Sequence, residues 1–388
     1  MSSTPLGAGE DPIFKIGVLG PTRVGKTSLI ASILADSPRI LRGTPVTLKP
    51  RGSATEKRIM RRRAELDGAV LAGNFSPGAL SGTQSPVYFD LALEAGISGA
   101  GIQLSILDFP GGWLSAETRP SDVENAWQEC RSFMAQSSVL LIPVDASVLM
   151  EAVETRHRRL LPGILTTPEV EALTEEWAKE RIMRPDEPAL MVFVPVKCET
   201  YFADNGGTRN DAQLLLDSVL ELYRQAAEMV WLNAPHAQIL YCPVDTLGCV
   251  DLITADWEPS TDPGGFTFKA DFGIRKPGRI SVRGAEDVLI SVCRILATAR
   301  QQAEELEAQE HRTTAAAAEA LYRQREGFFR SIRLWANGTR SARREDAKEK
   351  SAVAERTRIR ALQLADVVDQ LASRPFSSRV RTVVRAVD

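Results

Sequence analysis

Eight residues near the N-terminus, Gly20-Pro21-Thr22-Arg23-Val24-Gly25-Lys26-Thr27, constrain this 388-residue chain more than any others. They follow an apolar run, Phe14–Leu19, and open an amphipathic stretch, Lys26–Ala35. A strand, a glycine-bearing loop and a helix in that order form the context in which the pattern GxxxxGK[ST] holds phosphate. Gly20 and Gly25 let backbone N–H groups curl around an anion, and the helix N-terminus adds its dipole. Gly20, Val24, Gly25 and Ser28 are therefore candidate phosphate contacts. Lys26 places a cation on the terminal phosphates, and Thr27 offers a hydroxyl to Mg²⁺.

Beyond the loop, short apolar runs alternate with amphipathic stretches, the mark of an α/β parallel sheet. Strands are predicted at Phe14–Leu19, Val87–Leu93, Gln103–Leu107, Val139–Val144, Leu190–Val196 and Ile239–Val244. Several are nearly continuous apolar runs, as expected of strands covered on both faces. Helices are predicted at Lys26–Ala35, Ser121–Ala135, Pro168–Arg181 and Ala212–Trp231, the last with apolar residues at helical spacing. Three stretches read as insertions, near 39–82, 146–188 and 255–284. The first carries an Arg-rich helical piece, Glu56–Ala72, and the third a hairpin around Phe266–Ile274. This gives a nucleotide-binding domain over 12–300 and a helical basic extension over 301–388.

Net charge is −3, which by itself implies no nucleic-acid or membrane partner. Residues 321–388 nevertheless hold 16 Lys+Arg against 8 Asp+Glu. A basic tail on an acidic body suits an anionic partner, or a tail packed on its own body. Within it, Phe328–Trp335 is aromatic and basic, and Ile359, Leu362, Val367, Val368 and Leu371 form an apolar stripe. Both are expected to pack on the body, with a membrane surface as the alternative for the first. Cys130, Cys198, Cys242, Cys249 and Cys293 show no metal spacing and read as buried, reduced thiols. No run approaches the ~18 apolar residues of a membrane span, and no leader is visible. The expectation is a soluble, cytoplasmic protein.

With Asp108-Phe109-Pro110-Gly111, the sequence resembles the translation-factor-like class of P-loop GTPases. The Asp of this DxxG follows the second of two adjacent strands, which resemble the antiparallel pair of that class. The resemblance implies a three-layer α/β/α fold, GTP and GDP as ligands, and Asp108 holding a Mg²⁺-bound water while the Gly111 N–H senses the γ-phosphate. It also implies a threonine completing the Mg²⁺ shell. Thr83 fits best, 25 residues before Asp108, and Thr44 is the rival. Lys197-Cys198-Glu199 resembles the [NT]KxD motif, which implies Lys197 stacking on the base and Glu199 accepting from guanine N1 and N2. The departures are Val196 for Asn or Thr, and Glu for Asp, so an ATPase stands as an alternative. Asp245–Gly248 stands where the class puts its last base contact.

Ras-like members carry a Gln after DxxG to orient water, whereas this chain has Gly112 and then Trp113. Arg23, in GxxRxGKT, resembles the P-loop Arg of guanylate-binding proteins and atlastins, which implies an arginine finger in cis and a homodimer through the nucleotide face. The alternative for Arg23 is a solvated side chain or a partner contact. Trp113 is expected to pack its loop onto the neighbouring helix, or else to swing as a switch. Arg61-Arg62-Arg63 is expected to be a solvated helix face. In motif style the chain is similar to bacterial conflict-system "double-GTPase" proteins, which implies a defence role and a protein partner. The rival class is a nucleotide-binding scaffold without hydrolysis.

Overall fold

The computed structural model describes residues 13–298, apart from 45, 73, 76–81, 96–99, 186, 188, 260–265, 276–277 and 297, together with residues 370 and 373–385. In chain order the elements are β1 (Ile13–Val18), α1 (Lys26–Ile40), β2 (Val46–Pro50), α2 (Ser53–Leu71), β3 (Asn74–Phe75), β4 (Val87–Ala95), β5 (Ala100–Asp108), α3 (Glu124–Ala135) and β6 (Val139–Asp145). Three short helices follow, α4 (Ala146–Met150), α5 (Thr155–Arg158) and α6 (Leu161–Ile164). Then come α7 (Thr167–Ile182), β7 (Leu190–Val196), α8 (Ala212–Leu222), α9 (Arg224–Asn233), β8 (Gln238–Tyr241), β9 (Val250–Pro259) and β10 (Phe266–Ile274). A helix, α10, starts at residue 285 and is described to 296, and β11 (Arg381–Thr382) closes the chain.

Eight strands form one sheet in the order β11-β8-β7-β6-β1-β5-β4-β2. The run from β8 to β5 is parallel. β4 is antiparallel to β5, and β2 to β4. The side-chain period of two sorts the strands between two cores. In β6, Val139 and Leu141 face one cluster while Leu140, Ile142 and Val144 face the other. The first cluster takes Leu29, Ile30, Ile33 and Leu34 of α1 and Val288, Leu289 and Val292 of α10. The second takes Trp127 and Cys130 of α3, Trp177 of α7 and Val219 and Val230 of α8 and α9. Helices thus cover both faces of the sheet. Each large apolar side chain so buried contributes roughly 1.5–3 kcal/mol.

The expected strands are all present, and the expected antiparallel pair is β4 and β5. Several boundaries differ. The helix expected over Ala212–Trp231 is two, because Tyr223 has non-helical φ of −105° and ψ of 21°. The hairpin around Phe266–Ile274 is one strand of a longer hairpin whose partner, β9, begins at Val250, ahead of the expected insertion. β3 joins it to make a separate three-stranded sheet. The insertion near 39–82 contributes β2 to the main sheet as well as α2. Arg61, Arg62 and Arg63 lie on α2 and pair with Glu65 and Asp67 of the same helix; Arg61 is solvated as expected, whereas the Arg62 side chain is only 14% exposed. All five cysteines are buried and unpaired.

Most of the expected helical extension, including Phe328–Trp335 and the 359–371 stripe, lies outside the described residues. Residues 373–385 depart from a helix. β11 pairs with β8 and forms the sheet edge there, and Arg374 donates to the carbonyls of Ile40, the last residue of α1, at 2.7 Å and of Arg42 at 2.6 Å. Among the described residues no helix is long and apolar enough to cross a membrane.

Trp177 is fully buried and donates its Nε1–H to Ser137 O at 2.7 Å. Trp177→Ala is expected to cost about 3–5 kcal/mol in urea unfolding. Leu71→Ala, at a side chain 84% exposed, is expected to stay within about 0.5 kcal/mol.

Candidate functional site

The carboxyl ends of β1, β5 and β7 meet around a cavity of about 350 Å³. Open α/β sheets place their ligands at this edge. The 20–27 loop forms its floor. Gly25 has φ of 112° and caps α1 without a side-chain hydrogen bond, and the first turn of α1 holds no acidic residue. The first-turn N–H groups, those of Lys26, Thr27 and Ser28, therefore have no side-chain cap and face an environment suited to an anion. Gly20 is packed close, since a Cβ there would lie 3.2 Å from Val24 Cγ1 and 3.3 Å from Pro143 O.

Lys26 is buried, and its Nζ donates to Gly20 O at 2.7 Å and Pro21 O at 3.0 Å. Burial lowers its pKa to about 8, opposed by the nearby Asp108 charge. Arg23 holds a left-handed φ of 64°, a strained conformation for a non-glycine residue. Its side chain is exposed and makes no ion pair among the described residues, while its carbonyl accepts from Lys197 Nζ at 2.9 Å.

Three oxygens from separate segments converge beside the loop. Thr27 Oγ1 donates to Asp108 Oδ2 at 2.6 Å, Thr83 Oγ1 lies 2.8 Å from the same oxygen, and the two hydroxyls are 2.9 Å apart. The β4–β5 register puts Val87 opposite Asp108, and so brings the segment before β4 to the end of β5. The second Asp108 oxygen, Oδ1, is buried with no partner among the described residues. Two hydroxyls and a carboxylate with a spare oxygen make the hard, all-oxygen donor set that suits Mg²⁺. Thr44, the rival to Thr83, does not join this group. Its hydroxyl donates to Leu41 O at 2.6 Å, beyond the far end of α1.

Gly111 touches the loop directly. A Cβ there would sit 2.3 Å from both Pro21 C and Thr22 N, so no other residue fits without moving backbone. Gly112 follows in the same 3-10 turn, and Trp113 is buried against Phe109 and Trp127 in the second core. The packing reading of Trp113 is the one observed.

The other end of the cavity holds Lys197 and Glu199. Lys197 also has a left-handed φ, 55°, and its Nζ pairs with Asp145 at the end of β6. Asp145 in turn accepts from Ser147 N and caps α4. Lys197 thus supplies the tie to the 20–27 loop that Val196 cannot make. Glu199 is buried. Its Oε1 accepts from Leu247 N at 3.2 Å and Gly248 N at 3.3 Å, and its Oε2 has no partner among the described residues. Burial first, and Asp245 second, raise its pKa to about 7. Val196, Leu247, Val250 and Phe272 supply apolar wall.

Asp145, Val250 and Phe272 went unread in the sequence. Asp145-Ala146-Ser147 carries a helix-start signal after a strand that could have found the first. The hairpin residues carry none, because their place depends on tertiary packing. No protein-family model matches the chain, and no curated protein matches it in sequence.

The raised Glu199 pKa makes stability depend on pH. Between the usual 4.5 and about 7, the folded state keeps a proton that the unfolded state has lost. Stability therefore falls as pH rises through that window and levels off above it. Urea unfolding of wild type and Glu199→Gln from pH 5 to 8 is expected to show wild type losing ground as pH rises, on the order of 2–3 kcal/mol in total.

Proposed function

We propose that the chain is a Mg²⁺-dependent GTP-binding switch of the P-loop GTPase type, with slow hydrolysis of GTP. The observation that carries this is the convergence of Thr27, Thr83 and Asp108 on one point beside the uncapped N-terminus of α1. Sequence-distant oxygens arranged this way, next to a buried lysine and a loop of backbone donors, match the needs of a Mg²⁺-bound polyphosphate. The antiparallel β4 beside an otherwise parallel run supports the same class.

On this reading Lys26 leaves the Gly20 and Pro21 carbonyls for the β- and γ-phosphate oxygens, while the N–H groups of residues 24–28 hold the phosphate chain. Thr27, Thr83 and Asp108 would hold Mg²⁺, which when bound neutralises charge on the phosphates. Gly111, already against the 20–27 loop, offers its N–H where a terminal phosphate would end. Lys197 covers one face of the base. The spare oxygen of Glu199 accepts from guanine N–H groups, and adenine offers no such pair in that place. Arg23, exposed at the mouth, is the candidate to join Lys26 at the transferring phosphoryl group. A finger of this kind is worth about 10³–10⁵ in rate.

A second reading, nucleotide binding without turnover, is favoured by one observation. Among the described residues at the phosphate end, apart from Asp108, which this reading gives to the metal, none is a Gln, Asn, His or carboxylate that could orient water. Binding of labelled GTP and ATP to the full chain with Mg²⁺, beside Lys26→Ala, tests the common ground. GTP preference that is lost in the variant is expected, and equal ATP binding refutes the role of Glu199. Single-turnover phosphate release then separates the readings. Arg23→Ala is expected to keep GTP binding and lose turnover, whereas absence of turnover in wild type favours the second reading.

A further inference from the structure

The C-terminal segment reaches the base end of the cavity through one side chain. Arg379 lies 180 residues beyond Glu199 in sequence and is almost fully buried. Its Nε donates to Asp204 Oδ2 at 2.9 Å, its Nη2 pairs with the other Asp204 oxygen, and its Nη1 lies 2.9 Å from Asp245 Oδ2. Its guanidinium also stacks over Phe202, 4.1 Å from the ring centre.

Asp245 is fully buried. Besides Arg379 it is held by Asn205 Nδ2 at 2.8 Å and the Cys198 thiol at 3.4 Å. It opens the 245–248 loop, whose Leu247 and Gly248 N–H groups fix Glu199 Oε1. The loop has little freedom otherwise. Gly248 has φ of 67°, and a Cβ there would meet Ser281 O at 1.8 Å. A chain of contacts therefore runs from Arg379 to Asp245, to the loop, to Glu199.

We infer that Arg379 is a positioning residue of the base pocket: it neutralises Asp245 and pins the 245–248 loop, so that Glu199 holds its free oxygen toward the base. This rests on Glu199 reading the base, as proposed above. The charge logic is specific. Asp245 and Glu199 are neighbouring buried carboxylates, and Asp245 is the charge that, after burial, most raises the Glu199 pKa. Arg379 is the cation paired with Asp245 among the described residues. Without it, the buried Asp245 carboxylate would stand uncompensated beside Glu199, loosening the 245–248 loop and favouring the protonated form of Glu199 still further. Asp204, with its side chain 43% exposed, can be satisfied by water instead.

The segment carrying Arg379 is fastened on both sides of it. Ser377 Oγ donates to Asp287 Oδ2 at 2.6 Å, and Val383 N donates to Ile239 O at 2.9 Å. The pocket is thereby completed by residues that follow the 301–372 stretch.

The test compares GTP with inorganic tripolyphosphate, both with Mg²⁺, on the full chain. Tripolyphosphate engages the phosphate end only. Arg379→Met is expected to weaken GTP by about 10- to 100-fold, the same order as the loss when a group that orients a metal-ligating side chain is removed. Tripolyphosphate affinity is expected to stay unchanged. Arg379→Met combined with Asp245→Asn removes the anion that needed the cation, and is expected to recover most of the GTP affinity. Arg379→Lys keeps the charge but not the fork, and is expected to fall between wild type and Arg379→Met. Should Arg379→Met fail to fold, as judged by its circular dichroism melt, Arg379→Lys decides alone: weaker GTP with unchanged tripolyphosphate supports the inference. Unchanged GTP affinity in the folded variant overturns it, as do equal losses of both ligands or a double variant no better than the single one. A wild type that binds GTP no better than tripolyphosphate refutes the base-reading role of Glu199 itself, and the inference with it.

Discussion

One oxygen of Asp108 takes hydrogen bonds from two threonines that lie 56 residues apart. That shared acceptor is where the helix after the first strand, the segment before β4 and the end of β5 meet. The β4–β5 register brings Thr83 there, and the β1–β5 pairing brings Thr27. Had β4 been shifted by one residue, its side chains would have changed face and the meeting would be lost. The contact between Gly111 and the Pro21–Thr22 backbone extends the same arrangement, since it sets the loop after β5 directly against the loop after β1. The proposed Mg²⁺ and phosphate roles all depend on this junction.

The other end of the cavity is held by charge. Buried Asp145 holds Lys197, and Lys197 holds the Arg23 carbonyl, so the loop after β7 is tied to the loop after β1. Buried Asp245 and Glu199 would repel without Arg379 between the first and the solvent-facing Asp204. Buried ion pairs contribute little net stability but strongly penalise the loss of one partner. Such pairs suit a pocket that must hold one geometry. They also make its shape sensitive to the C-terminal segment that supplies Arg379.

The parallel sheet was legible because its central strands carry apolar runs, such as Val139–Val144 and Leu190–Val196, unbroken by polar residues. The 20–27 loop was legible because glycine, lysine and threonine stand at fixed spacing in one short segment. Thr83 was separable from Thr44 in sequence only by its distance to Asp108, and the fold separates them by placing Thr44 beyond the C-terminal end of α1. What the sequence hid shares one cause: it depends on contacts between distant segments. β2 and β11 are short edge strands with mixed polarity, and their pairing partners decide them. The break at Tyr223 interrupts a helical pattern that continues on both sides. Arg379 looked like one more charge in a basic tail, because nothing local marks it as the partner of Asp245.

The central claim is that Thr27, Thr83 and Asp108 open around a metal that holds a nucleoside triphosphate against Lys26. A crystal structure of the full chain with Mg²⁺ and a non-hydrolysable GTP analogue tests it most directly. The account predicts Mg²⁺ between the two threonines and Asp108, Lys26 Nζ withdrawn from the Gly20 and Pro21 carbonyls onto phosphate oxygens, and guanine facing Glu199 Oε2. A metal bound elsewhere, or an analogue whose base lies away from Glu199 with Thr27 and Thr83 still bonded to Asp108, would contradict it.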